Sequence, residues 1–205
     1  MNIDNDIYIS PLFSRDDYIA LGLCDNSPED VWLKAIEMFK DRILGRYIDQ
    51  IRFLSNDIPQ NGFVIMALNC LLVETFFQFH YGCDETPHDN KRNNRYYYTR
   101  FLKQCFPNAF DTQQKADIFY RDIRCGILHS AQTKHNTRLT CTDDYVIDLD
   151  CNGDSYVFSI SVNGFTDLLI DYFLDYCHKL ECPTQYALRS CFKQKMDYLC
   201  RINMN

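Results

Sequence analysis

Hydrophobic residues recur three or four positions apart along most of the chain, and this spacing predicts six helices. Residues 63–81 are apolar on nearly every side, which is typical of a helix buried in the middle of a bundle. Residues 1–27 and 56–62 lack the pattern, and the second of these segments contains Pro59, so we expect both to be irregular. The predicted helices span residues 28–54, 63–81, 95–106, 112–129, 164–181 and 184–200.

Two segments alternate between apolar and polar positions, as β-strands do. They are Val146–Asp148 and Tyr156–Val162, and the Asn152-Gly153 pair between them is a strong signal for a tight hairpin turn. We therefore expect one hairpin near residues 145–162. Together the patterns predict a mainly α fold, an α-helical bundle with one inserted β-hairpin, in a single domain.

The composition is that of a globular protein in a reducing compartment. Hydrophobic residues make up 46% and charged residues 24%, which excludes an intrinsically disordered chain. Eleven cysteines, an odd number, and an acidic N-terminus without a signal-peptide pattern indicate free thiols and a cytoplasmic location. The longest apolar stretch, Phe63–Phe77, is interrupted by Asn69 and Glu74 and is shorter than the roughly 20 residues of a membrane span. We therefore expect no contact with a membrane.

Motifs for several enzyme classes are missing from the sequence. It contains no Gly-x-Ser-x-Gly elbow, no phosphate-binding loop and no dinucleotide-binding glycine pattern. Two clusters contain metal-binding residue types, but neither has the paired Cys-x2-Cys spacing of a zinc site. We therefore expect neither a metal nor a cofactor. The two clusters are His80, Cys83 and His88, and Cys177, His178 and Cys182.

Positive charge is concentrated in residues 91–138. This basic segment has ten Lys and Arg against three Asp, a charge of +7, whereas the whole chain carries −7. Such a segment can attract a polyanion locally while the protein stays acidic overall. Three tyrosines between Arg95 and Arg100 either stack on unpaired bases or turn into the core. The candidate RNA-binding residues are Arg95, Arg100, Arg121 and Lys134.

The helix predicted at residues 112–129 carries the best candidate for catalysis. On an ideal helix Phe119, Ile123 and Ile127 form one apolar stripe, and Arg121, Asp122, Arg124 and His129 fall off it, toward the open side. Arg124 and His129 are five positions apart and thus roughly 140° apart. They converge only if the helix distorts near Gly126 or if a second subunit brings its own copy. A guanidinium and an imidazole suit phosphodiester cleavage, although such a pair is also often structural or a partner of the helix dipole.

The six residues Arg124-Cys125-Gly126-Ile127-Leu128-His129 resemble the Arg-x4–6-His signature of HEPN domains, and the longer string from Ile123 to Gln132 resembles a HEPN-like branch of prokaryotic proteins. The resemblance implies a homodimeric, metal-independent endoribonuclease that leaves 2′,3′-cyclic phosphate ends. It also implies that His129 acts as general base or acid and that Arg124 stabilises the transition state. Many members of this family act in toxin–antitoxin or phage-defence systems, so an antitoxin or defence protein is an expected partner besides RNA.

The motif departs from the family pattern at two positions. Active members usually have Asn, Asp or His after the motif Arg, and this chain has Cys125; Asp122, one turn earlier, is the candidate to replace that polar group. Ala131 stands where some toxin members have a Tyr that is AMPylated, so that regulation is not supported. Cys125 and the acidic remainder of the chain favour an alternative function, a non-catalytic HEPN-like module that binds RNA or a protein.

Overall fold

The computed structural model describes residues 7–87, 93–153 and 155–201. These residues form two compact units. The first unit is built from the described parts of residues 1–50, 78–85 and 173–205, and the second from those of residues 51–77 and 86–172. The Arg124/His129 motif belongs to the second unit. Lys91 and Arg92 of the basic segment and His88 of a candidate metal cluster lie outside the described residues.

The fold is mainly α, as the spacing of apolar residues predicts. Each of the six predicted helices is present, with ends within a few residues of the predicted ones. A short helix with a Ser14/Asp17 capping box lies in the segment that was expected to be irregular. The helices are α1 (Arg15–Ala20), α2 (Glu29–Ile43), α3 (Asp49–Leu54), α4 (Ile58–Tyr81), α5 (Asn94–Cys105), α6 (Gln113–Ile118), α7 (Cys125–Ser130), α8 (Val162–Glu181) and α9 (Tyr186–Leu199).

The loop predicted at residues 56–62 is wrong, because the helix continues through it. A π-helical segment, Leu44–Ile48, joins α2 to α3, and a 3-10 turn, Ser55–Asp57, joins α3 to α4. Pro59 is the second residue of α4, where a missing backbone N–H breaks no helical hydrogen bond.

Residues Glu29–Tyr81 therefore run as one helix of 53 residues. An 18-residue window of it has a mean hydropathy of 1.7, and 56% of that window is buried inside the protein. By length and composition alone this helix could cross a membrane, and the core helix of a soluble protein passes the same test. The expected absence of membrane contact accordingly stays a prediction.

The first unit packs around aromatic side chains of α2 and α9. Phe192 lies 6.5 Å from Trp32 and 5.5 Å from Phe39, measured between ring centres. Arg189 is buried beside Trp32 and donates two hydrogen bonds to Glu29, at 2.9 and 2.7 Å. A buried guanidinium needs such a bidentate partner, since an unpaired charge would be costly there.

The second unit has its core around the apolar stripe of the motif helix. Phe119, Ile123 and Ile127 are buried, as predicted. The ring of Phe119 lies 5.4 Å from that of Phe110 and 5.0 Å from that of Phe165, measured between centres. Burial of each such side chain contributes about 1.5–3 kcal/mol to stability. This packing fixes which side of the motif helix remains accessible.

The predicted hairpin is confirmed but forms part of a three-stranded sheet. Strands β2 (Ile147–Asn152) and β3 (Ser155–Ser161) pair in antiparallel fashion. Strand β1 (Thr137–Thr140), which was not predicted, pairs with the other edge of β3 in parallel, and Arg138 lies opposite Ser159. A four-residue strand with a parallel partner has no local turn signal, so periodicity alone does not reveal it. Strand β1 is the next element after the motif helix in the chain, and it lies close to that helix.

Candidate functional site

The motif lies in a helix whose hydrogen-bonding pattern changes twice. Helix α6 passes into a π-helical segment, Phe119–Arg124, which passes into α7 (Cys125–Ser130). The π-helical segment therefore ends at Arg124, and residues 125–130 are regular α-helix, without the distortion near Gly126 that would bring the Arg124 and His129 side chains together. π-Helical turns are rare in proteins, and those that do occur are often found at functional sites.

Arg124 is held by Glu74, a residue of α4. Its Nη2 donates a hydrogen bond of 2.9 Å to Oε2 of Glu74, and the guanidinium lies 5.5 Å from the ring centre of Tyr120. The Arg124 side chain is 14% exposed, and its Nε is buried without a hydrogen-bond partner in the described part of the chain. Burial alone would lower the pKa of Arg124, but the hydrogen bond and the charge of Glu74 raise it above its ordinary value. Glu74 thus orients the guanidinium and partly neutralises it.

His129 lies in the last turn of α7 and is exposed. Ala131 ends that helix in the left-handed conformation, with a φ of 51°. Within residues 7–87, 93–153 and 155–201, no side chain forms a hydrogen bond or ion pair with His129. Its imidazole is therefore accessible for proton transfer, and one chain by itself does not pair it with Arg124.

Asp122 does not lie on the open side of the helix, so that prediction is wrong. Its side chain is 0% exposed and accepts hydrogen bonds from Arg121 (2.6 and 2.8 Å), Tyr156 (2.5 Å), His135 (2.9 Å) and Thr137 (3.4 Å). Burial alone would raise the pKa of Asp122, but these hydrogen bonds hold it below its ordinary value. The physical reason is that later parts of the chain cover this side of the helix, since His135, Thr137 of β1 and Tyr156 of β3 all bond to the carboxylate.

The chain after α7 folds back along the motif helix. The backbone N–H of Gln132 donates to the carbonyl of Gly126, and that of Lys134 donates to the carbonyl of Asp122. A Cβ at Gly126 would fall inside van der Waals distance of the Gln132 carbonyl oxygen. The glycine of the motif is therefore required by the close approach of this return loop, residues 131–136.

Two neighbouring depressions follow α5 and α6, and we call them the α5–α6 surface. The first, of about 520 Å³, is lined by Tyr96, Arg100 and Lys103 among others. The second, of about 410 Å³, is lined by Arg95, Asp117, Arg121 and Tyr156 among others. Gln113 lines both, so the two depressions adjoin each other at this residue.

The predicted RNA-binding residues differ in whether a carboxylate already pairs with their charge. Nε of Arg95 donates to Asp117 at 2.9 Å, and Arg121 is bound to Asp122. No described carboxylate pairs with Arg100, so its charge is available to a ligand. Lys134 is half-buried beside Gly126 and does not line the α5–α6 surface.

The tyrosines between Arg95 and Arg100 differ in burial, and only the alternative of a core position is confirmed, for Tyr98. Tyr98 is buried, and its hydroxyl donates to the carbonyl of Cys70 at 3.4 Å. Tyr96 is exposed and lines the α5–α6 surface. Tyr98 therefore belongs to the core, whereas Tyr96 belongs to the α5–α6 surface and its stacking on a base stays a prediction.

Three residues of the site were not predicted: Glu74, His135 and Tyr156. Each contacts a motif-helix residue from 13 to 50 positions away, so no short motif contains them. The only signal for Glu74 was a single carboxylate in an otherwise apolar helix. His135 and Tyr156 carried no signal, because their roles depend on the return loop and on the pairing of β3.

The described residues contain no group of three or more His, Cys, Asp or Glu placed to hold a metal ion. No protein-family model matches the chain, and no curated protein or solved structure matches it either.

Proposed function

We propose that the protein is a metal-independent endoribonuclease that acts on single-stranded RNA as a homodimer. The observation that carries the proposal is a combination within one unit. The exposed, unpartnered imidazole of His129 lies in the same unit as the α5–α6 surface with its free cation, Arg100, and exposed Tyr96. A cationic depression lined by an aromatic ring binds unpaired nucleotides through their phosphates and bases.

The chemistry is transesterification by the RNA itself. The ribose 2′-oxygen attacks the adjacent phosphorus, the bond from phosphorus to the 5′-oxygen breaks, and a 2′,3′-cyclic phosphate and a 5′-hydroxyl result. His129 takes up the proton of the attacking hydroxyl, and Arg124, held by Glu74, stabilises the charge that develops on phosphorus-bound oxygens.

A homodimer is supported by an apolar face of α4. Phe63, Val64 and Leu71 are exposed on this helix, and Leu71 precedes Glu74 by one helical turn. On an ideal helix these three side chains fall within about 100° of one another, and an exposed apolar face of this kind is typical of an interface between proteins. A second copy docked here about a twofold axis would approach the Glu74–Arg124 pair and could supply the His129 that one chain does not place beside Arg124.

The test is cleavage of a single-stranded RNA by the purified protein in excess EDTA. We expect His129→Ala to lower the rate about 10²–10⁴-fold by loss of proton transfer. Arg124→Ala should lower it on the order of 10²–10³-fold by loss of charge stabilisation. His178→Ala is the matched control, since this exposed histidine of α8 lies in the first unit. Cleavage that needs an added divalent ion, or that survives in His129→Ala, would contradict the proposal.

A second candidate function, a non-catalytic module that binds RNA, is favoured by two features of the motif. Glu74 already pairs with Arg124, and Cys125 stands where active family members have a polar residue. This alternative predicts that the protein binds RNA and cuts none. Cys125→Asn and Cys125→Asp then test whether the site is a disabled nuclease, because a gain of EDTA-resistant cleavage would show it.

A further inference from the structure

A buried carboxylate holds a second histidine beside the motif helix. Oδ1 of Asp122 accepts hydrogen bonds from Nδ1 of His135 at 2.9 Å and from Nε of Arg121 at 2.6 Å. Oδ2 accepts from the Tyr156 hydroxyl at 2.5 Å. The mechanism above uses none of these contacts.

The hydrogen bond leaves the reactive side of His135 open. With Nδ1 directed at Asp122, Nε2 points away from the carboxylate, and the side chain is 59% exposed. The backbone of His135 is in the left-handed region, with a φ of 51°, which a non-glycine residue adopts at some cost. A buried carboxylate behind one ring nitrogen is the arrangement that fixes the tautomer and the orientation of an acid–base histidine.

His135 and His129 lie along one side of the motif helix. His129 is three positions after Gly126 in α7, so the two share a face. The return loop packs against Gly126 and then against Asp122, which brings His135 to the N-terminal end of the same face. Asp122 and His129 are seven positions apart in sequence, roughly 10 Å along the helix axis.

We propose that His135, positioned by Asp122, is the general acid of the reaction and protonates the leaving 5′-oxygen while His129 removes the proton of the 2′-hydroxyl. The inference rests on the proposed ribonuclease function and adds the second proton transfer that the reaction needs. The Arg124/His129 motif contains a single imidazole and does not supply that transfer.

The geometry suits an in-line displacement. The attacking and leaving oxygens stand on opposite sides of phosphorus, and each proton-transfer group must come within about 2.6–3.2 Å of its oxygen. Asp122, which holds His135, and His129 are about two helical turns apart along the motif helix, a spacing that leaves room for a phosphate. The proton on Nε2 of His135 goes to the 5′-oxygen, His129 gains the proton of the 2′-hydroxyl, and exchange with water restores both.

Arg121 and Tyr156 connect this centre to the RNA-binding surface. Both contact Asp122, and both line the depression of about 410 Å³ on the α5–α6 surface. A strand that lies along this surface therefore reaches the side of the motif helix where His135 is held.

The test compares two substrates in EDTA: a single-stranded RNA and uridine 3′-(4-nitrophenyl phosphate). The nitrophenolate leaves without protonation, so it does not need a general acid. We expect His135→Ala to lower cleavage of RNA about 10²–10⁴-fold and cleavage of the nitrophenyl ester less than tenfold. His129→Ala should lower both rates strongly, because both substrates need the base. His178→Ala again serves as the control.

Asp122→Asn tests the positioning role by the same comparison. It should lower cleavage of RNA more than cleavage of the nitrophenyl ester, whereas a purely structural defect lowers both rates equally. An equal loss on both substrates in His135→Ala, or no loss on RNA, overturns this inference and leaves the ribonuclease proposal standing if His129→Ala is inactive. Wild-type protein that cleaves neither substrate overturns both proposals.

Discussion

Asp122 accepts five hydrogen bonds from side chains of the described residues, and its chemistry is set by its burial and by these partners together. Arg121 supplies two of those bonds, and Tyr156, His135 and Thr137 supply one each. Because the carboxylate is fully buried, removal of its charge leaves these donors without their acceptor. Asp122 therefore contributes to stability whether or not His135 acts in catalysis.

Asp122→Asn should lower the free energy of unfolding by about 1–3 kcal/mol at pH 7, since it removes a buried charged acceptor. The folded state holds the pKa of Asp122 below its ordinary value. Its contribution is therefore fully present above about pH 4 and is lost as the pH falls through the lower folded-state pKa. Urea unfolding of both proteins across this range should show the difference shrinking toward acid pH. A difference that stays constant or grows as the pH falls would contradict the assignment.

Arg124 shows why single residues of the site were only partly predictable. The sequence identified it from its spacing to His129, but its partner Glu74 lies 50 positions earlier in another helix. Whether a side chain is neutralised depends on such distant contacts, which no local pattern encodes. The burial of Asp122 was missed for a similar reason, since the segments that cover it carry His135 and Tyr156 and lie 13 and 34 positions later in the chain.

Among the elements, the amphipathic helices were predictable, because the spacing of their apolar residues is a local pattern and those residues must face the core. The stripe of Phe119, Ile123 and Ile127 fixed the buried side of the motif helix from sequence alone. Strand β1 was not predictable in this way, because its partner β3 lies about 20 positions later and pairs in parallel. The continuation of the helix through residues 56–62 was missed because Pro59 was taken as an interruption, although it is tolerated in the first turn.

The return loop gives a prediction that compares two glycines. In Gly126→Ala the new Cβ meets the Gln132 carbonyl oxygen, so the loop must shift at a cost of about 1–3 kcal/mol. Gly62 lies within α4 and has more space. In Gly62→Ala the new Cβ lies 3.7 Å from its nearest neighbour, Cγ2 of Val162, which is an ordinary contact. That change should stabilise the protein by about 0.5–1 kcal/mol, because alanine is the better helix former.

Chemical denaturation of the two variants measures both changes. Since the return loop carries His135, Gly126→Ala should also lower RNA cleavage, whereas Gly62→Ala should leave it unchanged. A Gly126→Ala protein as stable as the wild type would show that the loop does not pack tightly on the motif helix.

In the whole molecule, the proposed catalytic site requires a second copy of the chain. Helix α4 presents Phe63, Val64 and Leu71 to solvent, and Glu74 follows them on the same helix. Arg124 faces Glu74, while His129 is exposed at the end of α7. A twofold dimer is the simplest assembly that can bring these two side chains to one phosphate.

Mixing two inactive variants tests this arrangement. If each site combines Arg124 of one protomer with His129 of the other, a dimer of Arg124→Ala with His129→Ala contains one intact site. After unfolding and joint refolding we expect about one quarter of wild-type activity, since half of the dimers are mixed and each has one of two sites. Each variant refolded alone is the control. A mixture as inactive as its components would place both residues of each site in one chain.

The proposed function requires that the protein cuts RNA through the ribose 2′-hydroxyl without a metal ion. End-group analysis of a single-stranded oligonucleotide incubated with the protein in EDTA measures this reaction, with an all-ribose substrate beside a 2′-deoxy one. We expect 2′,3′-cyclic phosphate ends on the ribose substrate and no cleavage of the deoxy substrate, which lacks the nucleophile. Cleavage of the deoxy substrate, or ribose cleavage only after a divalent ion is added, would contradict it.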